Sequence, residues 1–322
     1  MLFSHVTYRE LYIVKPYLYW AGVIFSAVRT AFSLSYAQRV PIQALARQST
    51  VVSPEWHDLL FFKVNTMKFI KPRLFVCFML LALPAHAEKI TVAAAADLKF
   101  AMDEIVTAFK KNNPGKELEV IYGSSGKFQT QIQQGAPYDL YFSADIGFPR
   151  ALAQKGFAAS EVKPYAFGRI VLWSATLDAT RMTMASLADP KITRIAIANP
   201  RHAPYGKRAE EALRASGLWE KLEAKLVYGE NIAHTAQFVQ TGNAQVGIIA
   251  LSLAVNSELA NRGGYWLIPA NLHKPLEQGY IITKRADGNA LAKLFADYLG
   301  SKQARAVMTK NGFVLPNEVA GK

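Results

Sequence analysis

The chain has 322 residues, with 37 Lys and Arg against 24 Asp and Glu, a formal net charge of +13. At 51% hydrophobic and 19% charged residues, its composition excludes a disordered or low-complexity chain, and its length exceeds what one compact domain usually needs. A single cysteine excludes a disulfide framework, and no basic run interleaved with aromatics marks a nucleic-acid surface.

Residues 1–66 show no clear amphipathic period and no turn punctuation. Pro16 to Val28 is apolar, but Lys15 precedes it and Arg29 interrupts it, a weak pattern for a transmembrane helix. Met67 to Ala87 follows the three-part plan of a secretory signal. Lys68, Lys71 and Arg73 form a basic start, Leu74 to Leu83 an apolar run, and Ala85-His86-Ala87 an A-x-A cleavage pattern. The expectation is that Met67 is the natural start, that 1–66 is a start-site artefact or disordered extension, and that export removes 67–87. The remainder carries 28 Lys and Arg against 21 Asp and Glu, about +7. These charges are spread along the chain, as suits either a soluble basic surface or a mild field that helps collect anions. Cys77 falls inside the signal, so the mature chain has no thiol; the preceding Val76 is too large for a lipoprotein site.

From Glu88 the pattern becomes regular. Ile90 to Ala95 reads as a strand. Leu98, Ala101, Met102, Ile105 and Phe109 fall at helical spacing until Asn112-Asn113-Pro114-Gly115 stops the helix. Leu118 to Tyr122 is the next strand, Lys127 to Gln134 a helix and Tyr138 to Phe142 a strand. The alternation continues through 170–173, 194–198, 207–215, 226–228, 233–240 and 246–250. Residues 265–268 and 280–283 read as strands, and 289–298 and 302–310 as closing helices. Alternating elements on short turns predict an α/β fold with largely parallel sheets.

Three strand-to-helix junctions stand out: Ala93-Ala94-Ala95-Ala96-Asp97-Leu98, Gly123-Ser124-Ser125-Gly126, and Asn199-Pro200-Arg201-His202-Ala203-Pro204-Tyr205-Gly206. Each offers free backbone N–H groups at a positive dipole end, which suits an anion, and each equally fits ordinary helix capping. Catalytic patterns are thin. The mature chain has three scattered histidines, His202, His234 and His273, and no H-E-x-x-H, G-x-S-x-G or Walker loop. Asp103-Glu104 and Glu210-Glu211 read as solvated helix faces, and His202 as a surface histidine beside a turn.

Across residues 89–316 the sequence resembles the periplasmic molybdate-binding proteins of ABC importers. The carriers are ITVAAAADLKFAMDEI, YGSSGKFQTQIQQGAPYDLYFSAD, IAIANPRHAPYG, GENIAHTAQFVQTGNAQVGIIA and the final GFVLP. The resemblance implies a two-lobed type II periplasmic binding protein, each lobe a mainly parallel sheet flanked by helices, with the ligand in the interlobe cleft. Lobe 1 is expected over 88–167 plus 284–322 and lobe 2 over 168–283. The implied ligand residues are Ala96 and Asp97 in the first loop, Ser125 in the second, Tyr205 in the A-P-Y-G turn and Ile232 at a helix start. They hold molybdate, or the similarly sized tungstate, as an oxyanion. A tyrosine that some members add falls here at Ala250, so that donor is missing.

Asp97 is the sharper departure, since many relatives carry Ser or Asn there and a carboxylate repels a dianion. Three accounts stay open. Its side chain caps the helix at Leu98, it accepts a hydrogen bond from a protonated, hydrogen phosphate-like anion, or it is itself protonated when ligand is bound; capping is preferred, because Asp is a strong N-cap residue. The implied protein is a monomer that delivers its ligand to an ABC permease and has no cofactor. Phosphate or sulfate binding, sensing for a membrane receptor, and an exported enzyme on the same scaffold are the competing readings.

Overall fold

The computed structural model describes residues 88–316. The expected extension 1–66 and signal 67–87 lie outside the described residues. The first strand, β1 (Glu88–Ala95), leads through a short turn of 3-10 helix at Ala96–Leu98 into α1 (Lys99–Asn112). As the helical spacing predicts, Ala101, Met102, Ile105 and Phe109 are the buried face of α1. The helix stops before Pro114, and Gly115 takes a φ of 80°, where a side chain would be strained.

Lobe 1 continues with β2 (Lys116–Gly123), α2 (Ser125–Gln133), β3 (Leu140–Ser143), α3 (Gly147–Gln154) and β4 (Lys163–Gly168). Arg169 alone separates β4 from β5 (Ile170–Ser174), which opens lobe 2. Lobe 2 adds β6 (Ile195–Ala198), α4 (Pro204–Ala215), α5 (Trp219–Leu222), β7 (Leu226–Gly229), α6 (Ile232–Gln240), β8 (Val246–Ala250), α7 (Leu251–Ala254), α8 (Ser257–Ala260) and β9 (Gly264–Leu267). The chain then returns to lobe 1 through β10 (Leu276–Ile282), α9 (Ala290–Tyr298) and α10 (Lys302–Lys310).

Each lobe is one five-stranded sheet, in the orders β2-β1-β3-β10-β4 and β7-β6-β8-β5-β9. In each, three strands run parallel and the two on the returning side pair antiparallel. The sheets are therefore mixed, with one strand in each, β10 and β5, running against the other four. Hydrophobic period reports which face of a strand is buried and not the direction of its neighbour. The expected lobe boundary also moves. Because β10 pairs with β3 and β4, residues 276–282 belong to lobe 1 rather than to lobe 2, and β4 extends lobe 1 to Gly168. Strand β4 is additional to the strands read from sequence. It carries Pro164 and lies at a sheet edge, where a missing N–H is tolerated but the strand signal is weak.

Each lobe has its own core, and that of lobe 2 reaches across to Ala95, Ala96 and Ala144 of lobe 1. Ile90, Val92, Phe109, Phe142 and Phe295 pack in lobe 1, and Trp173, Ile195, Ile197 and Ile248 in lobe 2. The parallel strands β1, β2, β3, β6 and β7 present their carboxyl ends to the space between the lobes, and the helices after β2, β6 and β7 start there.

Candidate oxyanion site

Two glycine-rich turns and an alanine run bring backbone to one point between the lobes. Lobe 1 supplies Ala95, Ala96 and Asp97 after β1, Ser124 and Ser125 after β2, and Ala144 after β3; lobe 2 supplies Ala203 to Tyr205 after β6, and Asn231 and Ile232 after β7. Together with Gly123 they line a narrow cavity with room for about 10 Å³. All five residues expected at the site, Ala96, Asp97, Ser125, Tyr205 and Ile232, are among them. Ala250 lies at the end of β8, fully buried and outside this lining.

The donors have a common origin. Ser125 and Ile232 are the first residues of α2 and α6, so the helix gives their N–H groups no acceptor. In α4 the first residue is Pro204, which has no N–H, so Tyr205 carries the first one. The Asn231 side chain caps α6 by accepting from His234 N at 2.9 Å, which leaves the Ile232 N–H uncommitted by that cap. Ser125 is itself fixed. Its Oγ accepts from the Ala144 N–H at 3.0 Å and its carbonyl accepts from the Tyr141 hydroxyl at 2.7 Å. With a lone pair committed to Ala144, the Ser125 hydroxyl keeps its hydrogen for a ligand. None of the residues lining the cavity is Lys, Arg or His.

No side-chain cap bond is made at either the 3-10 turn or the start of α1. Instead Asp97 Oδ2 accepts from Tyr205 Oη at 2.9 Å and from Gln278 Nε2 at 2.7 Å. Its backbone carbonyl accepts from Ser252 Oγ at 2.8 Å. Asp97 Oδ1 is buried without a hydrogen-bond partner among the described residues. Burial pushes the carboxyl up to about 6, against the opposing bonds from Gln278 and Tyr205. Capping, the preferred expectation, does not by itself account for this carboxyl: the N-cap positions are Ala95 and Leu98, and donors 108 and 181 residues away hold Oδ2 while the backbone N–H groups of Asp97 and Leu98 lie beside the side chain.

Other residues lock the lobes across the cavity, and sequence reasoning missed them. His202 is no free surface residue. Its carbonyl accepts from Gly126 N at 2.9 Å and from Ser124 Oγ at 2.6 Å, and its Nδ1 lies 2.9 Å from Ser124 Oγ. Arg208 on α4 meets Asp145 of lobe 1 at 3.1 Å, and Lys127 pairs with Glu230. Gln278 had one available signal, a polar pair with Glu277 interrupting the apolar run 276–282. Glu210 and Glu211 are ion-paired but not a solvated face: Glu210 pairs with Arg214 and Lys207 at 15% exposure, and Glu211 pairs with the buried Arg208.

The model of the bacterial extracellular solute-binding protein family matches residues 90–314. The chain belongs to that family. Among its relatives, the molybdate-binding protein ModA of Rhodobacter capsulatus is 37% identical over 236 residues, 73% of this chain and 91% of that protein. ModA of Azotobacter vinelandii is 35% identical over 73% of this chain and 94% of its own length. The solved Azotobacter vinelandii periplasmic molybdate-binding protein superposes with a TM-score of 0.67 at 32% identity, covering 70% of this chain and 99% of that one. The sulfate-binding protein SubI of Mycobacterium tuberculosis, at 16% identity and a TM-score of 0.61, shares the fold. This solute-binding chain therefore has the two-lobed architecture of the periplasmic binding proteins, and its donor cluster lies between the lobes.

Proposed function

We propose that the protein captures molybdate, and tungstate with it, outside the cytoplasm and delivers it to an ABC permease. One observation carries the reading: three helix starts and the Ser125 hydroxyl converge on a small interlobe cavity that no cation lines. An oxyanion taken from water loses several kcal/mol of solvation. Charge-assisted hydrogen bonds return about 1.5–3 kcal/mol each, so a handful of fixed N–H and O–H donors suffices. Donors on rigid strand ends select by size, and a smaller anion such as sulfate reaches fewer of them at once. The names and coverage of the relatives support molybdate over other anions. Export by the signal at 67–87, action as a monomer, and capture without turnover or cofactor complete the proposal.

One observation favours a second reading. A buried carboxylate at the cavity would accept a hydrogen bond from a protonated anion such as hydrogen phosphate. The two separate on ligand choice.

Ser125→Ala tests the site. Calorimetry should show molybdate affinity reduced about 10- to 100-fold, the worth of one charge-assisted bond, with the unliganded melting temperature lowered as well, because the buried Ala144 N–H loses its acceptor. Unaltered affinity would remove Ser125 from the site.

A further inference from the structure

We infer that Asp97 holds its ligand as a neutral carboxylic acid, so that each oxyanion enters the closed cavity together with one proton. The inference rests on the oxyanion reading above. Asp97 is 1% exposed and lines the cavity. Its Oδ2 is occupied by two neutral donors, Tyr205 and Gln278, while Oδ1 has no partner. An ionised Asp97 would face a bound anion at close range with no cation between them, in a medium that screens poorly. Protonation removes that repulsion and converts the unpartnered oxygen into a donor for a ligand oxygen. The residues hold oxyanion oxygens by hydrogen bonds, and none coordinates a metal centre.

Only neutral donors support the charge, namely Gln278, Tyr205 and the backbone N–H groups of Asp97 and Leu98, and no cation does. Tyr205 on α4 and Tyr165 on β4 are the titratable groups that face Asp97, and burial holds both hydroxyls well above their ordinary range, hence neutral. Gln278 on β10 and Ser252 on α7 are neutral at any pH. No Lys, Arg or His is among the groups that lower the Asp97 carboxyl, which burial already holds up near 6. An arriving anion raises it further, and the proton comes from solvent.

Calorimetric titration with molybdate at about pH 7.5, in two buffers of different ionisation heat, counts the protons taken up. We expect close to one per molybdate. Affinity should fall about tenfold per pH unit between roughly pH 6.5 and 8.5 and level off below 6, where the free protein already holds the proton. Asp97→Asn keeps the shape without a charge and should bind with no proton uptake and a flat pH profile. If that variant does not fold, the proton count of the unaltered protein decides alone. Proton-free, pH-independent binding of molybdate overturns the inference and leaves the oxyanion reading intact. The same pH slope in Asp97→Asn also overturns it, by placing the proton elsewhere. Binding of none of molybdate, tungstate, sulfate and phosphate at any pH removes the oxyanion reading and the inference with it.

Discussion

Gly126→Val should abolish tight molybdate binding, by a hundredfold or more, while each lobe keeps its fold and the unliganded protein loses only the stability of the cross-lobe contacts. Gly126 is the second residue of α2, and its N–H donates to the His202 carbonyl of the opposite lobe at 2.9 Å. A Cβ at this position would lie 2.7 Å from His202 O and 3.1 Å from His202 Cα. Both are backbone atoms, so the clash is relieved only by moving the lobes apart. Separation would carry the Tyr205 and Ile232 N–H groups away from Ser125, and a hundredfold loss corresponds to about 2.7 kcal/mol. The helix itself does not suffer, because glycine is the poorer helix former by a few tenths of a kcal/mol. Calorimetry and a melting curve on the same sample check both halves. Unchanged affinity would mean that this contact is not needed for capture.

Gly206→Ala should do the opposite in kind, costing fold and binding together. Here the added Cβ would lie 2.0 Å from the Ala198 carbonyl oxygen, 2.6 Å from its carbon and 2.9 Å from Pro200 N. All of these belong to the same lobe, at the end of β6, so opening the cleft gives no relief. Glycine is required because α4 starts directly against the strand that leads into it. Overpacking costs about 1–3 kcal/mol, and immovable backbone puts this case at the upper end. For a chain of this size that is roughly 2–4 °C per kcal/mol, or about 6–12 °C in melting temperature. Any relaxation that spares the fold displaces Tyr205, the adjacent residue, so affinity should fall at least tenfold. A variant that melts and binds normally would show that the helix start is not wedged against β6 as described.

The contrast between these two glycines illustrates what sequence conveys. Both lie in short Gly-containing turns that read as anion sites or caps, and the three junctions do converge on one cavity. Strand and helix order was legible because each element buries its own periodic face, as α1 does with Met102, Ile105 and Phe109. What was not legible depends on distant partners. Asp97 reads locally as an N-cap, yet its side chain is claimed by Tyr205 and Gln278. His202 reads as a turn residue, yet its carbonyl receives two bonds from the facing lobe. Strand direction is equally silent, so the antiparallel pairing that places β10 in lobe 1 between β3 and β4 is not readable from its period. Periodicity constrains burial, and these features are set by contacts between segments 75 or more residues apart.

The central claim is that fixed neutral donors in a cation-free cavity select a large tetrahedral oxyanion. A thermal-shift panel tests it most directly, with molybdate, tungstate, sulfate and phosphate at equal concentration on the same protein. The account predicts a clear rise in melting temperature with molybdate and a similar rise with tungstate, and none with sulfate or phosphate. Stabilisation by phosphate alone, or by none of the four, would contradict it.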